Sequence, residues 1–235
     1  MYHFDSWNAP TETIDLSKVR LLDNALRHRS AFSVTAILSA ENVHKSYGRR
    51  HVLRGASFEA REGQLVAILG ENGSGKSTLL RILAGSDDLD RGRVVRNGRV
   101  GYCPQEHVLY PYLTIDEHLE LFACAYGLAA DVAKARADRL AERFELGKHR
   151  RTIVEQLSGG TRQKLNLAIA LLHDPAIVLL DEPYAGLDMT SYRELMAWVD
   201  EAKRDGKCIV LITHMVIEES RFDQLLNLRE GTLRA

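Results

Sequence analysis

Nine consecutive residues, Gly70-Glu71-Asn72-Gly73-Ser74-Gly75-Lys76-Ser77-Thr78, have the types and spacing to hold a polyphosphate. They fit G-x-x-x-x-G-K-[ST], in which glycines let the backbone curl so that successive N–H groups point inward and form an anion nest. Lys76 reaches the β- and γ-phosphates, and the Ser77 hydroxyl can ligate magnesium. A chance glycine-rich turn would lack the right flanks. Here the apolar run Leu65–Leu69 reads as a strand before the loop, and Leu79, Leu80, Ile82 and Leu83 follow at helical spacing. The helix adds its positive end to the nest. These residues imply a nucleoside triphosphate site.

Other residues can act on that triphosphate. Ile177–Leu180 is a second apolar strand, and it ends in two carboxylates, Asp181 and Glu182. An aspartate at a strand end beside such a loop takes the magnesium side, and a neighbouring carboxylate can act as general base for water. A solvated turn is the plainer reading of two adjacent acids. Pro183 and the aim of the strand argue against it. Gln105 and His214 also stand at strand ends, where open α/β sheets place ligand-contacting groups. Ser158-Gly159-Gly160 opens a helix that runs to about His173. Its free N–H groups suit an anion, although ordinary capping by Ser158 explains the same residues. Tyr47 is open to two readings as well, a purine-stacking aromatic or plain packing.

The elements that must position these groups follow from periodicity. Strands are expected at Ile37–Val43, Val52–Phe58, Leu65–Leu69, Val100–Tyr102, Ile177–Leu180 and Cys208–Ile212. Asn97-Gly98, between Val94-Val95 and Val100, carries a hairpin-turn signal. Thr114, with Glu117 three residues on, reads as a capping box opening an apolar-striped helix that Gly127 ends. A second helix, about Val132–Phe144, follows with no strand between. That break in alternation points to a helical insertion. Leu225–Leu228 and Thr232-Leu233 flank Glu230-Gly231 as a final hairpin. The fold class is therefore α/β: a phosphate-loop NTPase core of mostly parallel sheet, with an antiparallel β subdomain and an inserted α-helical subdomain at about residues 106–160. Residues 1–33 read as an N-terminal extension, with Leu16, Val19, Leu22 and Leu26 on one helical face, and residues 34–235 as the ATPase domain.

The bulk numbers exclude some classes. At 235 residues with 45% hydrophobic residues the chain can bury a large α/β core. A net charge of −1 predicts no affinity for nucleic acid or anionic membrane from electrostatics alone. Cys103, Cys124 and Cys208 lack metal-ligand spacing and read as reduced thiols of a cytosolic protein. No apolar run approaches the length of a membrane span, and the N-terminus lacks a secretion signal.

Taken together, the motifs resemble those of the nucleotide-binding subunit of ATP-binding cassette (ABC) transporters, over about Ala40 to Leu233. Tyr47 stands like the aromatic of the A-loop, Gly70–Thr78 like Walker A and Gln105 like the Q-loop glutamine. Leu157-Ser158-Gly159-Gly160 is similar to the signature, Ile177–Glu182 to Walker B with its catalytic glutamate, Asp188 to the D-loop, and His214 to the switch histidine. The signature, following Walker A and just before the Asp181-Glu182 strand, singles out this family. The resemblance implies ATP and Mg2+ as ligands, with the metal near Ser77, Gln105 and Asp181. It implies a head-to-tail dimer with a second nucleotide-binding subunit, homodimer or heterodimer, in which Ser158, Gly159 and Gly160 of one copy close over the γ-phosphate held by the other. It further implies a transmembrane permease partner at the cytoplasmic face of the cell membrane, and no nucleic acid. Leu113–Phe122 with Tyr126-Gly127-Leu128 is similar to the helical subdomain of drug- and polysaccharide-type exporters, which suggests export. The apolar stretch Val108–Tyr112 marks a contact with the permease, with Tyr110 and Tyr112 as anchors; packing onto the sheet is the alternative. Departures are Thr161 where the family usually has glutamine, a short stretch from Gly92 to Gln105, and an end soon after Leu233 without the regulatory domain of some importers. A soluble ABC ATPase acting on ribosome or nucleic acid is the alternative function. A non-hydrolysing nucleotide sensor would need a lost carboxylate or histidine.

Overall fold

The computed structural model describes residues 36–213 and 219–234. The N-terminal extension and His214 lie outside the described residues. Two sheets organise the rest. Three antiparallel strands, β1 (Leu38–Tyr47), β2 (Arg50–Ala60) and β4 (Arg91–Arg96), pair in the order β2-β1-β4. A six-stranded sheet runs β5-β6-β7-β3-β8-β9, from β3 (Leu65–Leu69), β5 (Val100–Cys103), β6 (Ile177–Asp181), β7 (Cys208–Ile212), β8 (Gln224–Arg229) and β9 (Thr232–Arg234). All of its pairings are parallel except the last hairpin, β8 with β9. Strands β6 and β7 are buried along their whole length, so they read as continuous apolar runs rather than alternating ones.

Period-2 alternation sends the two faces of this sheet into two cores. Leu65, Val178, Leu180, Ile209 and Leu211 face helices α2 (Ile115–Ala125), α4 (Gly159–Leu171) and α5 (Met189–Arg204). Val66, Ile68, Ile177, Leu179, Val210 and Ile212 face helix α1 (Lys76–Ala84) and the inner side of the three-stranded sheet. The loop between β3 and α1 is thus held from both sides. Between β5 and β6 the chain makes α2, α3 (Ala130–Arg143) and then α4. The capping box of α2 is present: Thr114 Oγ1 accepts from Glu117 N at 3.3 Å, and Glu117 Oε2 accepts from Thr114 N at 2.7 Å. Such caps contribute about 1 kcal/mol.

One expected element is corrected. Asn97-Gly98 does not close a hairpin, because β4 pairs with β1 whereas β5 pairs with β6 in the other sheet. Asn97 N donates to Ile37 O at 2.8 Å and its Nδ2 to Ala36 O at 2.9 Å, so the turn chemistry serves a crossing between sheets. Cys103 and Cys208 are buried core residues, and burial pushes the Cys208 thiol up to about 12; Cys124 is exposed.

Candidate functional site

The phosphate loop leaves β3 at Gly70 and enters α1 at Lys76, with Gly75 as the N-cap. Gly70 and Gly75 both hold positive φ, 152° and 104°. A Cβ on Gly70 would stand 2.6 Å from Leu228 O, and one on Gly75 2.8 Å from Val52 Cγ1. Strand β8 and strand β2 therefore clamp the loop so closely that only glycine fits at its two ends. Lys76, buried at 6% exposure, donates from Nζ to Gly70 O at 2.8 Å and Glu71 O at 2.9 Å. Its charge thus lies inside the concave side of the loop. Arg50 on β2 holds the outer bend, donating to Gly73 O at 3.0 Å.

A cavity of about 460 Å³ opens over this loop. Its wall brings together Tyr47 from the end of β1, Lys76, Ser77 and Thr78 from α1, Gln105 after β5 and Glu182 after β6. Residues that lie far apart in the chain converge because β5 and β6 are parallel neighbours ending at one sheet edge. Gln105 Nε2 donates to Glu182 Oε2 at 3.0 Å. Glu182 is 8% exposed and carries its side chain on a left-handed backbone, φ 48°. A non-glycine residue there costs on the order of 1–2 kcal/mol, and such strain concentrates at functional sites.

Asp181, the last residue of β6, is 1% exposed. Burial raises its pKa, against a hydrogen bond from the Ser77 hydroxyl that lowers it, and the Glu182 charge raises it further. Its Oδ1 is buried with no hydrogen-bond partner among the described residues. An orphaned carboxylate oxygen beside a hydroxyl is what a hard cation with oxygen ligands would satisfy, so these residues fit magnesium. Asp181, Ser77 and Gln105 all line one adjoining cavity.

Ser158 caps α4, its Oγ accepting from Thr161 N at 3.1 Å. The Thr161 hydroxyl lies 2.8 Å from the same oxygen, so the residue that departs from the family pattern engages the serine directly. Ser158, Gly159 and Gly160 are not among the residues that line the cavity over this chain's own phosphate loop. Asp188 caps α5, accepting from Ser191 N at 2.7 Å.

Residues 53–185 match the model of the ABC transporter family. The chain belongs to that family. It is 36% identical over 210 residues to the Nod factor export ATP-binding protein I of Ralstonia nicotianae, spanning 84% of this chain and 65% of that one. It is 34% identical over 203 residues to a probable sulfate/thiosulfate import ATP-binding protein of Chlorella vulgaris, spanning 81% of this chain and 86% of that one. A dimeric ATP-binding cassette, solved in a post-hydrolysis state bound to ADP and Pi, superposes with TM-score 0.78 at 28% identity, covering 84% of this chain and 97% of the other. The ABC chain is accordingly an ATP-binding, ATP-hydrolysing domain of transporters, and such cassettes work as dimers. These findings do not favour the ribosome- or nucleic-acid-acting alternative.

The cassette also uses residues that sequence reasoning passed over. Gln163 on α4, 1% exposed, donates to Pro183 O at 2.8 Å, and Asn166 one turn on donates to Pro104 O at 2.9 Å. The helix headed by Ser158 therefore grips both the segment leading to Gln105 and the segment leaving Glu182. Two polar residues within an otherwise apolar run that includes Leu165, Leu167 and Ile169 were the available signal. The stretch 108–112 divides. Tyr112 is 67% exposed, while Tyr110 packs its ring 5.9 Å from that of His118 and donates its N–H to His118 Nε2 at 2.8 Å.

Proposed function

We propose that the cassette holds ATP in the cavity over Gly70–Thr78, closes it with the signature of a second cassette, and drives a separate transmembrane permease, in the direction of export. The base stacks on Tyr47, and Lys76 with the loop N–H groups holds the phosphates. Magnesium would be held by Ser77 and Asp181, with Gln105 nearby, and would neutralise charge on the β- and γ-phosphate oxygens. Glu182 takes the proton of the attacking water, kept in place by its hydrogen bond from Gln105. His214, outside the described residues, is assigned to the γ-phosphate by its motif alone. The partner's equivalent of Ser158 and Gly160 brings N–H donors to the phosphoryl oxygens, where charge spreads in the transition state. The carrying observation is the lining of the cavity: it brings the loop, Gln105 and Glu182 together and does not include the chain's own Ser158, Gly159 and Gly160, which supports closure by a second copy.

Export is supported by the stretch Leu113–Leu128 and by the Nod factor relative; an import relative of similar identity means that direction needs transport measured in oriented vesicles. No helix of the described residues is long and apolar enough to cross a membrane. Mixing tests the shared site. Lys76→Ala and Ser158→Arg proteins each lose ATPase activity alone; mixed, they form dimers with one doubly defective and one intact site, and activity returns. Full activity of Ser158→Arg by itself would sink the shared site.

A further inference from the structure

Asp87, in the loop between α1 and β4, joins Lys45 of β1 and Arg81 of α1 in a charged cluster around Tyr47. Asp87 accepts a short hydrogen bond from the Tyr47 hydroxyl. Its other oxygen pairs with Lys45 Nζ at 2.8 Å. Arg81 on α1 donates to Tyr47 Oη at 3.3 Å and stands 3.7 Å from Asp87 Oδ2. Lys45 also lies over the Tyr47 ring, 5.1 Å from its centroid. Lys45 is 9% exposed, whereas Tyr47 is 45% exposed. The phenol is thus gripped at its oxygen from two sides and carries a cation over its ring, while much of the side chain stays open to the cavity. Burial alone would raise the Asp87 pKa, but the hydrogen bonds from Lys45 and Tyr47 outweigh it and hold the carboxyl below its ordinary range. At neutral pH this is a fixed carboxylate, built where a stacking tyrosine needs only its ring.

We infer that Asp87, braced by Lys45 and Arg81, is a positioning residue that holds the Tyr47 ring in the orientation that receives the base of ATP. Stacking alone needs a π-face and tolerates rotation. A ring anchored through its oxygen is pre-organised, so less freedom is lost when the base arrives. The cation over the ring strengthens the anchoring, since Lys45 is itself held by Asp87. Arg81 also donates to Thr78 Oγ1 at 3.3 Å and lines the cavity that holds Ser77 and Asp181, so the inference is confined to Asp87 and Tyr47, whose effect falls on base affinity.

This inference rests on the reading of Tyr47 as the base-stacking residue, and the experiment separates the two. Binding of ATP and of inorganic tripolyphosphate is measured by calorimetry for wild type, Asp87→Asn, Asp87→Glu, Tyr47→Phe, Tyr47→Ala and the Tyr47→Phe/Asp87→Asn double variant. Loss of one net hydrogen bond corresponds to about three- to tenfold in affinity. Asp87→Asn and Tyr47→Phe should each weaken ATP by that amount and leave tripolyphosphate unchanged, and the double variant should be no weaker than either single one. Asp87→Glu should recover part of the loss. If Tyr47→Ala weakens ATP but Tyr47→Phe and Asp87→Asn do not, the ring stacks unaided and the positioning role is wrong. If Tyr47→Ala leaves ATP binding intact, the stacking assignment itself fails. Equal weakening of ATP and tripolyphosphate by Asp87→Asn would show a general disturbance of the loop and overturn the inference.

Discussion

Replacing Glu182 by glutamine is the sharpest perturbation of the hydrolytic centre. The change keeps the shape of the side chain and leaves an oxygen that can still accept the hydrogen bond Gln105 gives at 3.0 Å. The backbone strain at φ 48° is the same for either residue. Stability should therefore change by no more than about 1 kcal/mol, within the range of ordinary substitutions. Ser77 and Asp181, the residues that would hold magnesium, are untouched by the change, so Mg-ATP binding should be retained. What is lost is the proton acceptor. A positioned general base contributes roughly 10²–10⁴ in rate, or about 3–5 kcal/mol in the barrier. Phosphate release at saturating ATP should fall by that factor, with a dimer that persists in ATP on size exclusion. Turnover within about threefold of wild type, with ATP binding intact, would remove Glu182 as the base and would falsify the assignment.

Two further outcomes follow. His173 is buried, its pKa depressed to about 4 by burial, with Nδ1 unpartnered among the described residues and Nε2 at 3.1 Å from Val100 O. A depressed pKa means that the unfolded chain binds the proton first as pH falls, so this stabilisation is full above the ordinary value near 6.5 and is lost on descending towards 4, at about 1 kcal/mol per pH unit. His173→Gln, which keeps a donor for Val100, should flatten the acid limb of a melting-temperature profile over that window; an unchanged limb would show that other groups set it. Tyr112, exposed at 67%, should be the anchor for the permease, since Tyr110 is committed to His118. Tyr112→Ala should leave melting temperature and ATP binding unchanged but weaken pull-down of membranes containing the partner by on the order of 30-fold, the weight of a 2 kcal/mol hot spot. A large fall in melting temperature with membrane association kept would support packing instead.

Much of this arrangement is legible in the amino-acid sequence. The phosphate loop, the Asp181-Glu182 strand end and the buried strands announce themselves because their constraints are local: a glycine pattern, a continuous apolar run, a carboxylate pair at its end. Asn97-Gly98 misleads for the same reason. Its turn chemistry is real, but whether the following strand pairs with the preceding one is decided by which sheet has a free edge, and no short window holds that information. The Asp87 grip on Tyr47 and the grip of Asn166 on Pro104 are invisible in sequence because their partners stand 40 and 62 residues away. Each looks like an ordinary polar residue until the fold delivers its counterpart. Exposure of Tyr112 against the half-burial of Tyr110 likewise depends on the imidazole of His118, which is completely buried.

Helix α4 has one more consequence. Its head is absent from the lining of its own chain's cavity, while Gln163 and Asn166 tie its body to the segments carrying Glu182 and Gln105. In the proposed dimer, nucleotide bound by one copy pulls on Ser158 of the other, and that helix cannot shift without moving the other copy's own base and glutamine. Occupancy at the first site is thus felt as affinity at the second. Because coupling between binding sites is reciprocal, the two sites should respond to each other equally, and the expected outcome is a Hill coefficient for ATP that differs from one. Cutting the Asn166 tie should let the sites fill independently while leaving each able to bind.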